Sequence, residues 1–217
     1  MLSVELFGSG SAHHNKVADV AIVAVGGRRI SVFLINARAR VGVVNARFGD
    51  ARGWFSETFN AARFAEAGLG MDWVQDNHSM SAIVGTLRGL HYQRPPHAQD
   101  KLVRCTRGAI FDVAVDIRRG SPTYGHWVGV DLTAANGKQL LVPKGFLHGF
   151  VTRAPDTEVQ YKCTDVYAPD CDGAIRWDDP TIAIDWGLTG APVLSAKDAT
   201  APLLASFDSP FLLEGIE

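Results

Sequence analysis

In the stretch Arg88-Gly89-Leu90-His91-Tyr92-Gln93, with Lys101 shortly after it, one imidazole stands between two fixed positive charges inside an otherwise apolar run. An imidazole takes up and returns a proton near pH 7. With an arginine and a lysine beside it to attract an anion, the set suits proton transfer on an anionic substrate. Two later stretches have the same character. Pro143-Lys144-Gly145-Phe146-Leu147-His148-Gly149-Phe150 and Tyr161-Lys162-Cys163-Thr164-Asp165-Val166-Tyr167 each set ionisable side chains between apolar runs.

The elements that must position these groups read as strands. Residues 109–117 alternate, with Phe111, Val113, Val115 and Ile117 on one face and Asp112 and Asp116 on the other, as in a half-buried antiparallel strand. Residues 127–132, 139–143, 146–152 and 158–164 follow at short spacing, and Asn136-Gly137 between two of them carries the signal of a hairpin. Upstream, residues 50–59 read as a turn feeding a strand, with Phe55, Glu57 and Phe59 on one face. Glu57 then needs a partner on an apolar face. Asn60 is placed to cap the one convincing helix, residues 61–67, which stops at Gly68. Regular short strands, Gly, Pro and Asn turns and almost no helix predict an all-β fold, a barrel or two-sheet jelly roll with a few short helices.

A chain of 217 residues can bury a full core as one unit. Residues 1–40 read as a solvated, partly disordered leader and residues 41–217 as a single domain. The arginines near the leader lack aromatic interleaving, and Gly8-Ser9-Gly10 is a flexible turn rather than a phosphate loop. A net charge of −2 provides no overall field for nucleic acid or anionic lipid, so neither is expected as a partner. The apolar run 17–25 is far shorter than the roughly 20 residues of a membrane span. Three cysteines, Cys105, Cys163 and Cys171, without metal-type spacing suit reduced thiols in a cytoplasmic protein.

Pro143-Lys144-Gly145-Phe146-Leu147-His148 resembles the second cupin motif, with residues 88–93 where the first would lie. Metal-binding cupins need two histidines one residue apart plus a glutamate. Gln93 stands where the second histidine would be, so no metal and no cofactor is expected. Nine ordered blocks carry a narrower resemblance. These are residues 50–57, 75–79, 88–93, 101–104, 111–118, 121–123, 145–150 and 161–167, and Leu194-Ser195-Ala196-Lys197-Asp198. Through them the chain resembles the dTDP-4-dehydrorhamnose 3,5-epimerases. These isomerases of cupin-type jelly-roll (double-stranded β-helix) fold invert two carbons of a nucleotide-linked keto-sugar on the way to dTDP-L-rhamnose.

That resemblance implies His91 as the base, Asp198 as its carboxylate partner, Lys101 on the substrate oxygen and Tyr161 as the acid. It puts Arg52, Glu57, Gln75, Asn77, Arg88, His148 and Lys197 on the nucleotide-sugar and packs Tyr167 against the base or sugar. Asp172 falls at a substrate contact where the family carries a glutamate. It further implies a homodimer, joined through an opening strand for which residues 30–35 or 41–44 are the candidates. Taken alone, Asp198 lies in a polar stretch where a surface aspartate is the usual reading, and His148 suits a structural hydrogen bond equally well. Two other functions remain open: action at one carbon only, including ketoisomerisation, and a non-catalytic sugar-binding or metal-dependent cupin.

Overall fold

The computed structural model describes residues 47–66 and 69–213, together with the backbone of five strands between residues 4 and 44. Four of those five, β1 (Val4–Phe7), β2 (Ala18–Val25), β3 (Arg28–Ile35) and β4 (Ala39–Val41), form an antiparallel sheet in chain order. Gly8-Ser9-Gly10 lies outside the described residues.

Two five-stranded sheets make the body. The first runs β5 (Val43–Val44), β13 (Lys138–Val142), β10 (Lys101–Arg107), β15 (Thr157–Cys163), β8 (Gln75–Ser81). The second runs β12 (Trp127–Thr133), β11 (Ala109–Asp116), β14 (Phe146–Thr152), β9 (Leu87–Gln93), β16 (Asp172–Ala174). A separate ribbon, β6 (Phe48–Asp50) with β7 (Gly53–Phe55), precedes the helix α1 (Ala61–Glu66). The strands between residues 109 and 163 fall within about a residue of where alternation puts them.

The sheets close on a core drawn from both, with Val103, Leu140 and Val159 from the first against Ile110, Leu132 and Phe150 from the second. Strand β11 is therefore not half-buried. Its aspartate face points into this core, where Asp112 and Asp116 are both buried. Its Val113-Val115-Ile117 face packs under Ile182, Trp186, Leu204 and Phe211, from a C-terminal segment that covers the outside of the second sheet.

Asn136-Gly137 does not close a hairpin. Strands β12 and β13 belong to different sheets, and the turn between them is the corner where the chain changes sheet. Asn136 Oδ1 accepts from the backbone N–H of both Thr133 and Lys138, and Gly137 takes the positive φ of 61° the corner requires. The strand predicted through residue 59 ends at Phe55, so Glu57 lies beyond it and pairs with Arg63 at 2.6 Å. Asn60 does cap α1, its Oδ1 accepting from the Arg63 N–H at 3.2 Å. The helix is described to Glu66, and Gly68 lies outside the described residues.

Candidate active site

Strict alternation along β9 would send Arg88 and His91 to opposite faces. A bulge prevents it. Pairing with β14 matches Phe150 to Arg88 and His148 to His91, so three steps on β9 span two on β14 and both side chains point inward. Gly89 permits this, with a φ of 129° and no room for a side chain. A Cβ there would lie 2.6 Å from Gly149 Cα and 2.8 Å from the His148 carbonyl oxygen.

Arg88, His91, Lys101, His148, Tyr161, Lys197 and Asp198 line one cavity of about 380 Å3 between the sheets. Asp198 is carried on α2 (Ala196–Ala199), where Ser195 at the N-cap accepts from the Asp198 N–H at 3.1 Å. The bridge of Val193 to Thr86 sets this helix against the start of β9. Far from being a surface residue, Asp198 is buried, and its Oδ1 meets His91 Nε2 at 2.6 Å. Burial pushes the Asp198 carboxyl up. The hydrogen bond and charge of His91, with Ser195 and the Gly89 N–H, outweigh that and hold it below the usual carboxylate range. A carboxylate partner held ionised at neutral pH on one ring nitrogen leaves the other for a substrate and stabilises the imidazolium that forms there.

Burial lowers the Lys101 pKa, offset in part by Cys163, Asp172 and Asp112. Among the described residues Lys101 makes no ion pair. Tyr161, opposite Val103 on the β10–β15 ladder, is pushed up by burial and Cys163, so its phenol keeps its proton. Arg88 is fixed by neutral acceptors, donating from Nε to Ser81 Oγ and from Nη2 to the Met80 carbonyl, both at 3.2 Å. Its charge and that of Lys101 remain for an anion.

His148 lines the cavity and also makes the structural hydrogen bond its sequence context suits. Its Nε2 meets Asp112 Oδ1 at 2.8 Å, while Asp112 Oδ2 is buried without a hydrogen-bond partner. Burial raises the Asp112 pKa despite the charge and hydrogen bond of His148. Asp116, four residues along, has the opposite balance. Burial is overcome by donors from Arg118, Ser121 and Thr123 that tie down the following turn. Sequence reasoning passed over Asp112 by assigning its face to solvent. Ile110 and Ala114, two residues either side on that face, were the signal that it is apolar.

The remaining candidates stand outside this cavity. Gln75 donates to Asn77 Oδ1 at 3.1 Å and accepts from the Tyr167 N–H at 2.8 Å, so the amides brace the neighbouring loop. Tyr167 is exposed at the mouth. Its hydroxyl donates to Asp172 Oδ2 at 3.3 Å, and Lys197 Nζ donates to the same oxygen. Arg52 pairs with Asp50 on the exposed β6–β7 ribbon, and Glu57 is held by Arg63. Gln93 spends its amide on the backbone, donating to His97 O and Val166 O and accepting from the Ala168 N–H. Among the described residues no three His, Cys, Asp or Glu side chains converge as metal ligands.

The family model described as dTDP-4-dehydrorhamnose 3,5-epimerase matches residues 40–206. The dTDP-4-dehydrorhamnose 3,5-epimerase of Sinorhizobium fredii is 52% identical over 165 residues, covering 76% of this chain and 85% of the relative. That of Salmonella typhimurium is 54% identical over 158 residues, covering 72% and 86%. Among solved structures, a dTDP-6-deoxy-D-glucose-3,5-epimerase from Legionella pneumophila in complex with dTDP-4-keto-L-rhamnose superposes with a TM-score of 0.74. It is 48% identical, over 77% of this chain and 88% of that one. The ionised carboxylate behind His91, the lysine and the tyrosine thus sit on a chain and fold that match throughout the body, and this chain belongs to the dTDP-4-dehydrorhamnose 3,5-epimerase family.

Proposed function

We propose that the chain converts dTDP-4-dehydro-6-deoxy-D-glucose to dTDP-4-dehydro-L-rhamnose by inverting C3 and C5. The observation that carries this is the convergence of His91, Lys101 and Tyr161 on one cavity, with Asp198 on the far side of the imidazole. Both carbons adjoin the C4 ketone, so removing either proton gives an enolate whose charge rests on the C4 oxygen. His91 removes the proton, and the Lys101 ammonium, its acidity increased by burial, stabilises that oxygen. Inversion needs the new proton on the opposite face. Tyr161 delivers it, and both groups then exchange with solvent before the second carbon reacts. Arg88 meets the diphosphate with a fork of donors.

A homodimer in the cytoplasm completes the reading. Arg52 and Glu57, which the family resemblance assigns to the substrate, stand away from this chain's own cavity, so a second copy is their route to it. The ribbon beside them exposes Phe48, Trp54 and Phe55, an apolar surface suited to such a contact. Among the described residues no helix is long and apolar enough to cross a membrane.

Turnover in heavy water, followed by NMR, tests the chemistry. Solvent deuterium is expected at both C3 and C5. In Tyr161→Phe, wash-in should persist at one or both carbons while inversion is suppressed. Deuterium at one carbon in the wild type would establish a single-site epimerase, and none with nucleotide binding retained would leave a sugar-binding module.

A further inference from the structure

Three carboxylates serve the cavity and its mouth, each matched to one basic side chain: Asp198 to His91, Asp112 to His148 and Asp172 to Lys197. The third pair differs in place. Asp172 opens β16 opposite Gln93, two residues before Ala174, which faces His91 across the ladder. Lys197 precedes Asp198 on α2. One oxygen, Asp172 Oδ2, takes both the Lys197 ammonium and the Tyr167 hydroxyl, joining three segments at the entrance.

We infer that Asp172 is a positioning residue that, in the free enzyme, occupies Lys197 at the cavity mouth and sets the affinity for the substrate's diphosphate by competing for it. This rests on the reading above that the substrate is a dTDP-sugar. A diphosphate entering beside Lys197 meets one negative charge already in place. The Asp172 side chain is only 21% exposed, so solvent screens that charge incompletely. Its field also reaches inward, since Asp172 is among the charges that help Lys101 keep its proton. Removing the carboxylate frees an ammonium and relieves a repulsion. Against this stands the ordering that Lys197 loses. The ordering of one side chain is smaller than a unit-charge effect felt by both phosphates, so the net change favours binding.

The test is calorimetric titration of dTDP into the wild type, Asp172→Asn and Asp172→Glu at low and high salt. For Asp172→Asn the Kd should fall on the order of fivefold, with KM falling in parallel and a steeper salt dependence. Asp172→Glu, which keeps the charge, should stay within about twofold of wild type. A purely supporting residue would weaken binding when lost, so a gain separates the two roles. Equal or weaker binding in Asp172→Asn, or the same gain in Asp172→Glu, overturns the inference while the wild type still binds dTDP. No binding of dTDP to the wild type overturns both this and the nucleotide-sugar reading.

Discussion

His91 and His148 face each other across one ladder, each with an aspartate at its Nε2, yet their surroundings shift the two carboxyls in opposite directions. The His91 ring is 31% exposed to the cavity, and Asp198 behind it has donors enough to hold it ionised. The His148 ring is 9% exposed, and Asp112 has one oxygen satisfied and the other orphaned, so burial drives its pKa up. The same two residue types thus form a pair with a ring open to the cavity where the carboxylate is saturated, and a buried pair where one carboxylate oxygen is left without a partner.

Breaking the first pair should have the largest effect. His91→Asn is expected to lower kcat on the order of 10^3-fold while dTDP affinity stays within about threefold, because Arg88 and Lys101 remain. A near wild-type rate, measured by conversion of the keto-sugar, would make the two pairs equivalent and remove His91 from the chemistry. Next in size is Asp198→Asn, which leaves the base in place but without the charge that orients it. The expected loss in kcat is on the order of 10^2-fold with KM little changed, and an unaltered kcat would end the role assigned to Asp198.

The smallest effect concerns stability, and here the pairs should differ in sign. Asp198 has a lowered folded pKa, so its contribution is present above the unfolded value near 3.9 and is lost as the pH falls through the folded one. Asp112 has a raised folded pKa. The folded protein then binds the extra proton, and stability falls as the pH rises from about 4 through that raised value. Asp112→Asn removes the buried charge and should raise Tm by about 2–4 °C at pH 8, with the gain closing near pH 4. A lower Tm at pH 8 would mean that His148 and Lys101 more than repay the burial of Asp112.

Much of the body was legible from local pattern. Alternation found the strands around residues 109–163, whereas Asp198, which meets His91, was reached only through the family resemblance, its local stretch reading as surface. Contacts made by distant residues were not legible in that way. Nothing in residues 109–117 says that Trp186, Leu204 and Phe211 will cover their outer face, and Ile110 and Ala114 beside Asp112 were the one local sign that the other face is buried too. Asn136-Gly137 makes the same kind of local turn in a hairpin and at a sheet corner, and only the strands it joins decide between them. The bulge that turns Arg88 and His91 to one side depends on how closely β9 approaches β14, a distance that no periodicity encodes.

That close approach also bears on how such a chain can change over generations. A Cβ at Gly149 would lie 2.9 Å from the Arg88 carbonyl oxygen and 3.2 Å from Gly89 Cα, just as one at Gly89 would collide with Gly149. Neither position accepts a side chain while the other strand stays put, and enlarging both is worse than enlarging either. A lineage crossing this point would have to separate the strands and so shift His91 and His148, which pair across them, relative to one another. The spacing of the two histidines is thereby tied to the glycines behind them. A descendant with altered specificity has far more freedom at the mouth, around Tyr167, Asp172 and Lys197, than at the crossing behind them.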